Sequence, residues 1–479
     1  MPVPVISVAQ MRAWEQATWA SGQSEEAVIR LAGKEIARAA ERLTRPGDSI
    51  LVLAGGGHNG DDALRAAEAF RERDFDLLPV FEPNGALEPL AVHLARRPAL
   101  VVDGLFGIGL NRPLSPAWME VIQRINDSGL PVLAVDVPSG LNAQTGEPMP
   151  AAIRAHTTLT LGAIKEGLLQ PSAWPFVGRL DVAAEIGLLP SPYQDARVQW
   201  TAPADDFANF PPPRDVATHK GSFGHAVIVA GSRGYHGAAV LAARGAQRAQ
   251  PGLVTLAVRD EIYSPVAAQL QAAMVHPYAS EPTLPATTSA VLIGPGLAAP
   301  EVATSLKRWL GQLWREAPFP VIVDASALDW LPHGAVTTAV RVITPHPGEA
   351  ARMLDTTTAR IQQDRFAAVH ALSARFGGCL VVLKGHQTII GSHQGPLLVN
   401  GSGNPHLAQG GSGDLLAGFI TGWLAQPLPS AGTQRATAYA VWQHGAAADY
   451  LQAARRAWII EDLATVLGSI PSGTQPHPA

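Results

Sequence analysis

Two glycine-dense stretches hold most of the residues that could do chemistry. Gly410-Gly411-Ser412-Gly413-Asp414 runs directly into the apolar segment Leu415-Leu416-Ala417-Gly418. A helix starting there offers successive backbone N–H groups, and the positive end of its dipole, to an anion. Asp414 beside such a hole suits phosphoryl transfer, the carboxylate taking a hydroxyl proton while N–H groups stabilise phosphoryl charge. The plain alternative is a helix cap after a flexible loop. The other stretch is Gly55-Gly56-Gly57-His58-Asn59-Gly60-Asp61-Asp62. Gly55, Gly57 and Gly60 satisfy the G-x-G-x-x-G spacing, and Glu82 stands where a dinucleotide fold keeps its ribose-binding acid. Asp61 and Asp62 would repel a pyrophosphate there, so spacing alone does not establish that ligand.

Further polar residues fall at the ends of apolar runs. Val101-Val102-Asp103 and Val135-Asp136-Val137-Pro138-Ser139 follow this form, as does Val381-Val382-Leu383-Lys384. His346 sits between Pro345 and Pro347, which fix the backbone around it. Gly294-Pro295-Gly296 and Ala230-Gly231-Ser232 are two more turns of this kind. In an open parallel sheet, ligands bind beyond the carboxyl ends of strands. Asn59, Asp103, Asp136 and Ser139 are therefore expected on one sheet edge. Lys384 could neutralise a phosphate, and its bland role is a solvated loop charge.

The elements that must position these residues form a repeated pattern. An amphipathic opening, residues 8–43, reads as one or two helices. Short Val/Ile/Leu runs at 50–54, 77–81, 100–103, 132–136 and 157–161 then alternate with helical stretches at 63–73 and 116–128. Runs apolar throughout suit parallel strands buried on both faces. The stretch 191–220, with Pro192, Pro203, Pro211, Pro212 and Pro213, breaks the pattern and reads as a linker or seam. Strands are expected again at 226–230, 253–258, 290–293, 321–324, 342–344, 380–383 and 388–390, with helices at 415–425 and 436–454. The fold class is thus α/β, in two domains bounded at 1–212 and 213–479.

Composition narrows the function. The 479 residues are 47% apolar and 16% charged, with a formal charge of −5. This excludes a disordered chain and disfavours a nucleic-acid binder, which usually carries a basic excess. No apolar run approaches a membrane span. The single cysteine, Cys379, permits no internal disulfide and suits a reducing compartment. A cytoplasmic protein with no membrane or nucleic-acid partner is expected, assembled as a homo-oligomer.

Residues 57–62, 103–109, 135–141 and 162–165 occur in an order that resembles the NAD(P)H-hydrate epimerase family, the YjeF N-terminal domain, over about residues 5–205. The resemblance implies a Rossmann-like α/β/α domain. It implies a potassium ion at Asn59, Asp103 and Ser139, all oxygen donors as a hard cation needs. It also implies that His58, Asn59, Gly60, Asp61 and Asp62, with Gly107, Ile108, Gly109 and Leu110, line the substrate pocket. Asp136 would bind substrate and act as general base or acid. His58, Asp61 and Ala63 depart from the family's usual Asn, Gly and Gly.

Residues 219–221, 230–232, 237–239, 294–296, 344–349, 384–385 and 410–414 resemble the NAD(P)H-hydrate dehydratase family over about residues 215–470. That resemblance implies a ribokinase-like α/β/α domain. Ala238, Gly296, His346 and Asp414 would contact the hydrated nicotinamide nucleotide. Lys384, Gly385, His386, Gln387, Thr388 and Gly413 would hold the adenine nucleotide. Ser326 stands where the family usually has a second aspartate after Asp324.

The order of the halves resembles that of fused NAD(P)H-hydrate repair enzymes. It implies epimerisation of R and S hydrates of NADH and NADPH, and dehydration of the S form by Asp414. The co-substrate would be ADP, with ATP as the alternative, together with magnesium; AMP and phosphate would be released. Two other classes share some of the motifs. One is an NAD-dependent oxidoreductase built on Gly55–Gly60 and Glu82. The other is a ribokinase-type kinase preceded by a binding module.

Overall fold

The computed structural model describes residues 2–473 apart from 299–301, 335, 338, 429–431 and 456. The chain folds as two compact units, one spanning Pro2–Trp200 and the other beginning at Thr201. The seam lies within the proline-rich stretch, which is ordered on both sides of it. Val198–Trp200 pairs antiparallel with Val3–Ile6 in the N-terminal unit. In the C-terminal unit Phe207 is buried against Tyr439 and Trp442, and Phe210 packs on Trp423 and Tyr439. Aromatic anchors leave no periodic trace, so a segment read as linker is tied down by burial.

Each unit is a three-layer α/β/α fold. In the N-terminal unit six parallel strands lie in the spatial order Asp74–Pro79, Ser49–Ala54, Leu100–Gly104, Val132–Val135, Thr157–Leu161 and Arg179–Ala183. The order reverses between Ser49–Ala54 and Leu100–Gly104, the position where doubly wound sheets bind ligands. Alternate strand residues serve opposite faces. Ile50, Val52, Leu100, Val102 and Leu133 share a core with the helices Glu25–Leu43 and His58–Ala69. Leu51, Leu53, Val101 and Val132 share another with Pro83–Ala95 and Pro116–Asp127. The helix after the glycine loop begins at His58 rather than at the expected residue 63. Gly60 permits this start, because a Cβ there would lie 2.0 Å from the Gly55 carbonyl oxygen.

In the C-terminal unit the parallel strands run Met274–Tyr278, Leu253–Arg259, His225–Val229, Ala290–Ile293, Val321–Val323, Arg341–Ile343 and Leu380–Leu383. Ile389–Gly391 and Leu397–Val399 continue the sheet antiparallel. Met274–Tyr278 is absent from the sequence expectations. It contains Pro277 and takes the sheet edge, where a missing N–H disrupts little of the ladder. The helices His236–Arg248, Ser412–Leu424 and Thr433–Ala454 share one large core with Ile228, Leu292, Ile322, Val342 and Val382. Ser412–Leu424 starts three residues before the expected Leu415 because Gly411 supplies a left-handed N-cap at φ 92°. It packs tightly on His236–Arg248: a Cβ at Gly418 would lie 1.9 Å from the Ala242 carbonyl oxygen.

Cys379 is buried and free. Burial pushes its thiol pKa up, so the residue is a small core group. Among the described residues no helix is long and apolar enough to cross a membrane.

Candidate functional site

In the N-terminal unit a network of polar groups gathers at the reversal point of the sheet. Asp103, the penultimate residue of Leu100–Gly104, is fully buried. Its Oδ1 accepts from the Ser139 hydroxyl at 2.6 Å and its Oδ2 from the Ser139 amide at 2.9 Å. The Phe106 amide donates to Ser139 Oγ at 2.8 Å, and Asn59 Nδ2 donates to the Phe106 carbonyl at 3.0 Å. Burial pushes the Asp103 pKa up to about 6 against these hydrogen bonds. One carboxylate, one hydroxyl, one side-chain amide and a backbone carbonyl are hard oxygen ligands with little total charge. That set fits a monovalent cation better than a divalent one. Gly107 closes on it, since a Cβ there would lie 3.2 Å from Asn59 Oδ1.

Asp136 stands beyond the next strand with φ 64°, a left-handed conformation costly for a non-glycine residue. Three donors converge on its Oδ1: the Leu161 amide at 2.9 Å, the Thr160 hydroxyl at 3.1 Å and Lys165 Nζ at 2.5 Å. Lys165 is fully buried and also donates to the Leu161 carbonyl at 2.7 Å. Asp62 is buried nearby. Desolvation first, then the charges of Asp136, Asp61 and Glu15, raise its pKa to about 8. The Glu15 carboxyl is raised as well, by burial, against the pull of Lys165. His58 is exposed, 2.9 Å from Glu25 Oε1, and Asp61 faces solvent. Gly107 to Leu110 form a tight turn through Leu110 N to Gly107 O at 3.2 Å. Within that turn Gly109 is exposed, and Ile108 is half-buried.

Sequence reasoning gave Lys165 no role and omitted Glu15. Lys165 had a signal, since it closes the quoted 162–165 motif. Glu15 had none: it lies on the opening helix Val8–Ala20, remote in sequence from every glycine motif.

In the C-terminal unit neighbouring strand ends are stitched together. Gly231 N donates to Pro295 O at 2.8 Å, and Ser232 Oγ to Gly296 O at 2.7 Å. Ala238 lies in the first turn of His236–Arg248, where its Cβ comes within 2.8 Å of a Cβ built on Gly296. Asp324 is almost wholly buried and accepts on Oδ1 from Thr344 Oγ1 at 2.7 Å and from Lys384 Nζ at 2.8 Å. Glu349 Oε2 is 3.9 Å from the same ammonium. Ser326 follows in the 3-10 helix Ala325–Trp330, so the departure there leaves the Asp324 pairing intact.

Lys384 Nζ would lie 3.2 Å from a Cβ on Gly413, which brings it to the start of the helix that carries Asp414. Burial, with Asp324 next, pushes the Asp414 pKa up to about 6, against the pull of Lys384. His346 caps Pro347–Met353: its Nδ1 accepts from the Gly348 and Glu349 amides at 3.0 and 3.2 Å. That bonding leaves the proton of the neutral ring on Nε2, on a half-exposed side chain. The turn after Leu380–Leu383 carries Gly385, His386, Gln387 and Thr388, and Thr388 Oγ1 donates to Gly385 O at 3.0 Å. One buried residue went unread in the sequence. His444, from Thr433–Ala454, reaches Ser412 Oγ at 3.4 Å, and burial lowers its pKa to about 4.

A half-buried carboxylate at a helix N-terminus, backed by a lysine at a strand end, fits an α/β enzyme of the phosphoryl-handling class. The family model described as NAD(P)H-hydrate dehydratase matches residues 226–470. The model for YjeF-related protein N-terminus matches residues 25–92 and 82–167. A bifunctional NAD(P)H-hydrate repair enzyme of Gloeobacter violaceus is 35% identical over 98% of this chain and 97% of its own. The enzyme of that name from Escherichia coli is 33% identical over 88% of this chain and 84% of its own. The crystal structure of the ADP/ATP-dependent NAD(P)H-hydrate dehydratase from Bacillus subtilis, co-crystallised with ATP and magnesium, matches with a TM-score of 0.48 at 31% identity, over 53% of this chain and 91% of that one. The chain belongs to the family of bifunctional NAD(P)H-hydrate repair enzymes.

Proposed function

We propose that the N-terminal unit interconverts the R and S hydrates of NADH and NADPH and that the C-terminal unit dehydrates the S form with ADP. The observation that carries the second half is Asp414, a half-buried carboxylate in the first turn of Ser412–Leu424 with Lys384 at the same helix start. Hydroxide is a poor leaving group. Asp414 takes the proton of the C6 hydroxyl while its oxygen attacks the β-phosphorus of ADP, releasing AMP. Loss of inorganic phosphate from C6, with a proton from C5, restores the C5–C6 double bond. The Gly413 N–H at the helix start stabilises the phosphoryl oxygens as they gain charge. Magnesium bound with the nucleotide would supply positive charge to its phosphates.

For the first half, Asp136 and Asp62, both buried and near enough for their charges to interact, supply a base and an acid. Asp136 accepts three hydrogen bonds as a carboxylate. Asp62, with a pKa of about 8, carries a proton at neutral pH. Epimerisation needs a proton removed from the C6 hydroxyl and one supplied as the ring bond at C6 breaks, then the reverse. Asn59, Asp103 and Ser139 would hold a potassium ion, which supplies positive charge beside the anionic substrate. A cytoplasmic homo-oligomer belongs to the same proposal, and light scattering would read the assembly.

Separate incubation of purified R and S hydrates with ADP tests the reading. The S hydrate should yield reduced nicotinamide absorbance and one phosphate per turnover. Accumulation of a stable phosphorylated hydrate would favour a kinase instead.

A further inference from the structure

Arg365 opens the helix Arg365–Arg375 and is 5% exposed, yet it belongs to no motif discussed above. Its guanidinium enters the turn after Leu380–Leu383. Nη1 donates to the His386 carbonyl, and Nη2 donates to the Leu383 and Lys384 carbonyls at 3.1 and 3.3 Å. A Cβ on Gly385 would lie 3.5 Å from Nη2, so the guanidinium fills the concave side of the turn. Two residues of the turn have positive φ, Gly385 at 125° and Gln387 at 54°. A turn of that shape stands where surrounding groups over-determine it.

Peptide planarity gives this arrangement a consequence. The carbonyl of one residue and the N–H of the next point in opposite directions. With the Lys384 and His386 carbonyls drawn onto Arg365, the N–H groups of Gly385 and Gln387 face away from it. The Lys384 amide itself is taken by Pro345 O at 2.9 Å. Outward N–H groups in a tight turn form an anion-binding concavity.

We propose that Arg365 is a positioning residue for the nucleoside diphosphate: it holds the 384–388 turn so that the Gly385 and Gln387 N–H groups meet the anionic part of ADP. The proposal rests on the reading of that turn as the nucleotide site. Its planar fork serves carbonyls lying in different directions, which a lysine ammonium at the same position does not reproduce.

The experiment compares the full-length protein with Arg365→Gln and Arg365→Lys, using the S hydrate and ADP. Both variants should raise the KM for ADP at least tenfold, with the KM for the hydrate and kcat within threefold of wild type. Hydrogen exchange at residues 385–388 of the unliganded variants should rise. An unchanged KM for ADP in either folded variant overturns the proposal, as does failure of both variants to fold, which would assign Arg365 to the fold alone. Exchange in the wild type with and without ADP separates the underlying reading. No ADP protection at 384–388 would refute the nucleotide site itself. Protection there with an unchanged variant KM would refute only the role of Arg365.

Discussion

Lys165 Nζ donates to Asp136 Oδ1 at 2.5 Å with the lysine side chain almost wholly withdrawn from water. The ammonium, the Thr160 hydroxyl and the Leu161 amide together hold the carboxylate of a residue whose own backbone is strained. Breaking one half of a buried pair leaves the other charge uncompensated. Lys165→Met should therefore destabilise the N-terminal unit by about 3–5 kcal/mol and abolish epimerisation. Urea unfolding followed with an R-hydrate assay checks both effects.

Asp62 gives a pH signature. Its folded pKa of about 8 lies above the ordinary carboxylate value, through burial and the neighbouring negative charges. The folded state therefore binds more protons than the unfolded one between those values, and stability falls as pH rises through them. Asp62→Asn removes that dependence. Calorimetry should show the variant gaining stability relative to wild type at pH 8 compared with pH 5.

The Asn59, Asp103 and Ser139 cluster predicts saturable stabilisation by potassium. The melting temperature of the N-terminal unit should rise with potassium chloride more than with an equal concentration of a bulky organic chloride, as mass action requires for a ligand of the native state. Asp103→Asn should remove the difference.

In the proposed dehydration Asp414 must be ionised to accept a proton, and its pKa is pushed up to about 6, first by burial and then by Asp324. The dehydration rate should fall as pH drops through that value. Asp324→Asn removes a negative neighbour and frees Lys384 to act on Asp414, so the acid limb should move to lower pH. A limb moving to higher pH would contradict the arrangement. Asp414→Asn should abolish turnover while ADP binding, read by calorimetry, stays near wild type.

Much of this site was legible in the sequence because its residues follow buried strands. Asp103, Asp136 and Lys384 each end or follow a Val/Leu run, and Asp414 follows glycines at a helix start. Element starts were harder to read. His58 and Ser412 begin helices inside stretches whose glycines suggested loops, because those glycines serve close approach and a left-handed cap. The partners were harder still. Lys165, Glu15, His444 and Arg365 reach their sites through tertiary folding, and no local period marks a buried charge. The ordering of Phe207 and Phe210 in a proline-rich stretch was hidden for the same reason.

The most direct test of the account is end-point conversion of a mixed R and S hydrate pool with excess ADP, made fast relative to spontaneous epimerisation. Two active units predict conversion of the whole pool to reduced nicotinamide nucleotide with one phosphate per molecule. A plateau at the S fraction would contradict the assignment of Asp136 and Asp62 to epimerisation, and no conversion of the S form would contradict the assignment of Asp414.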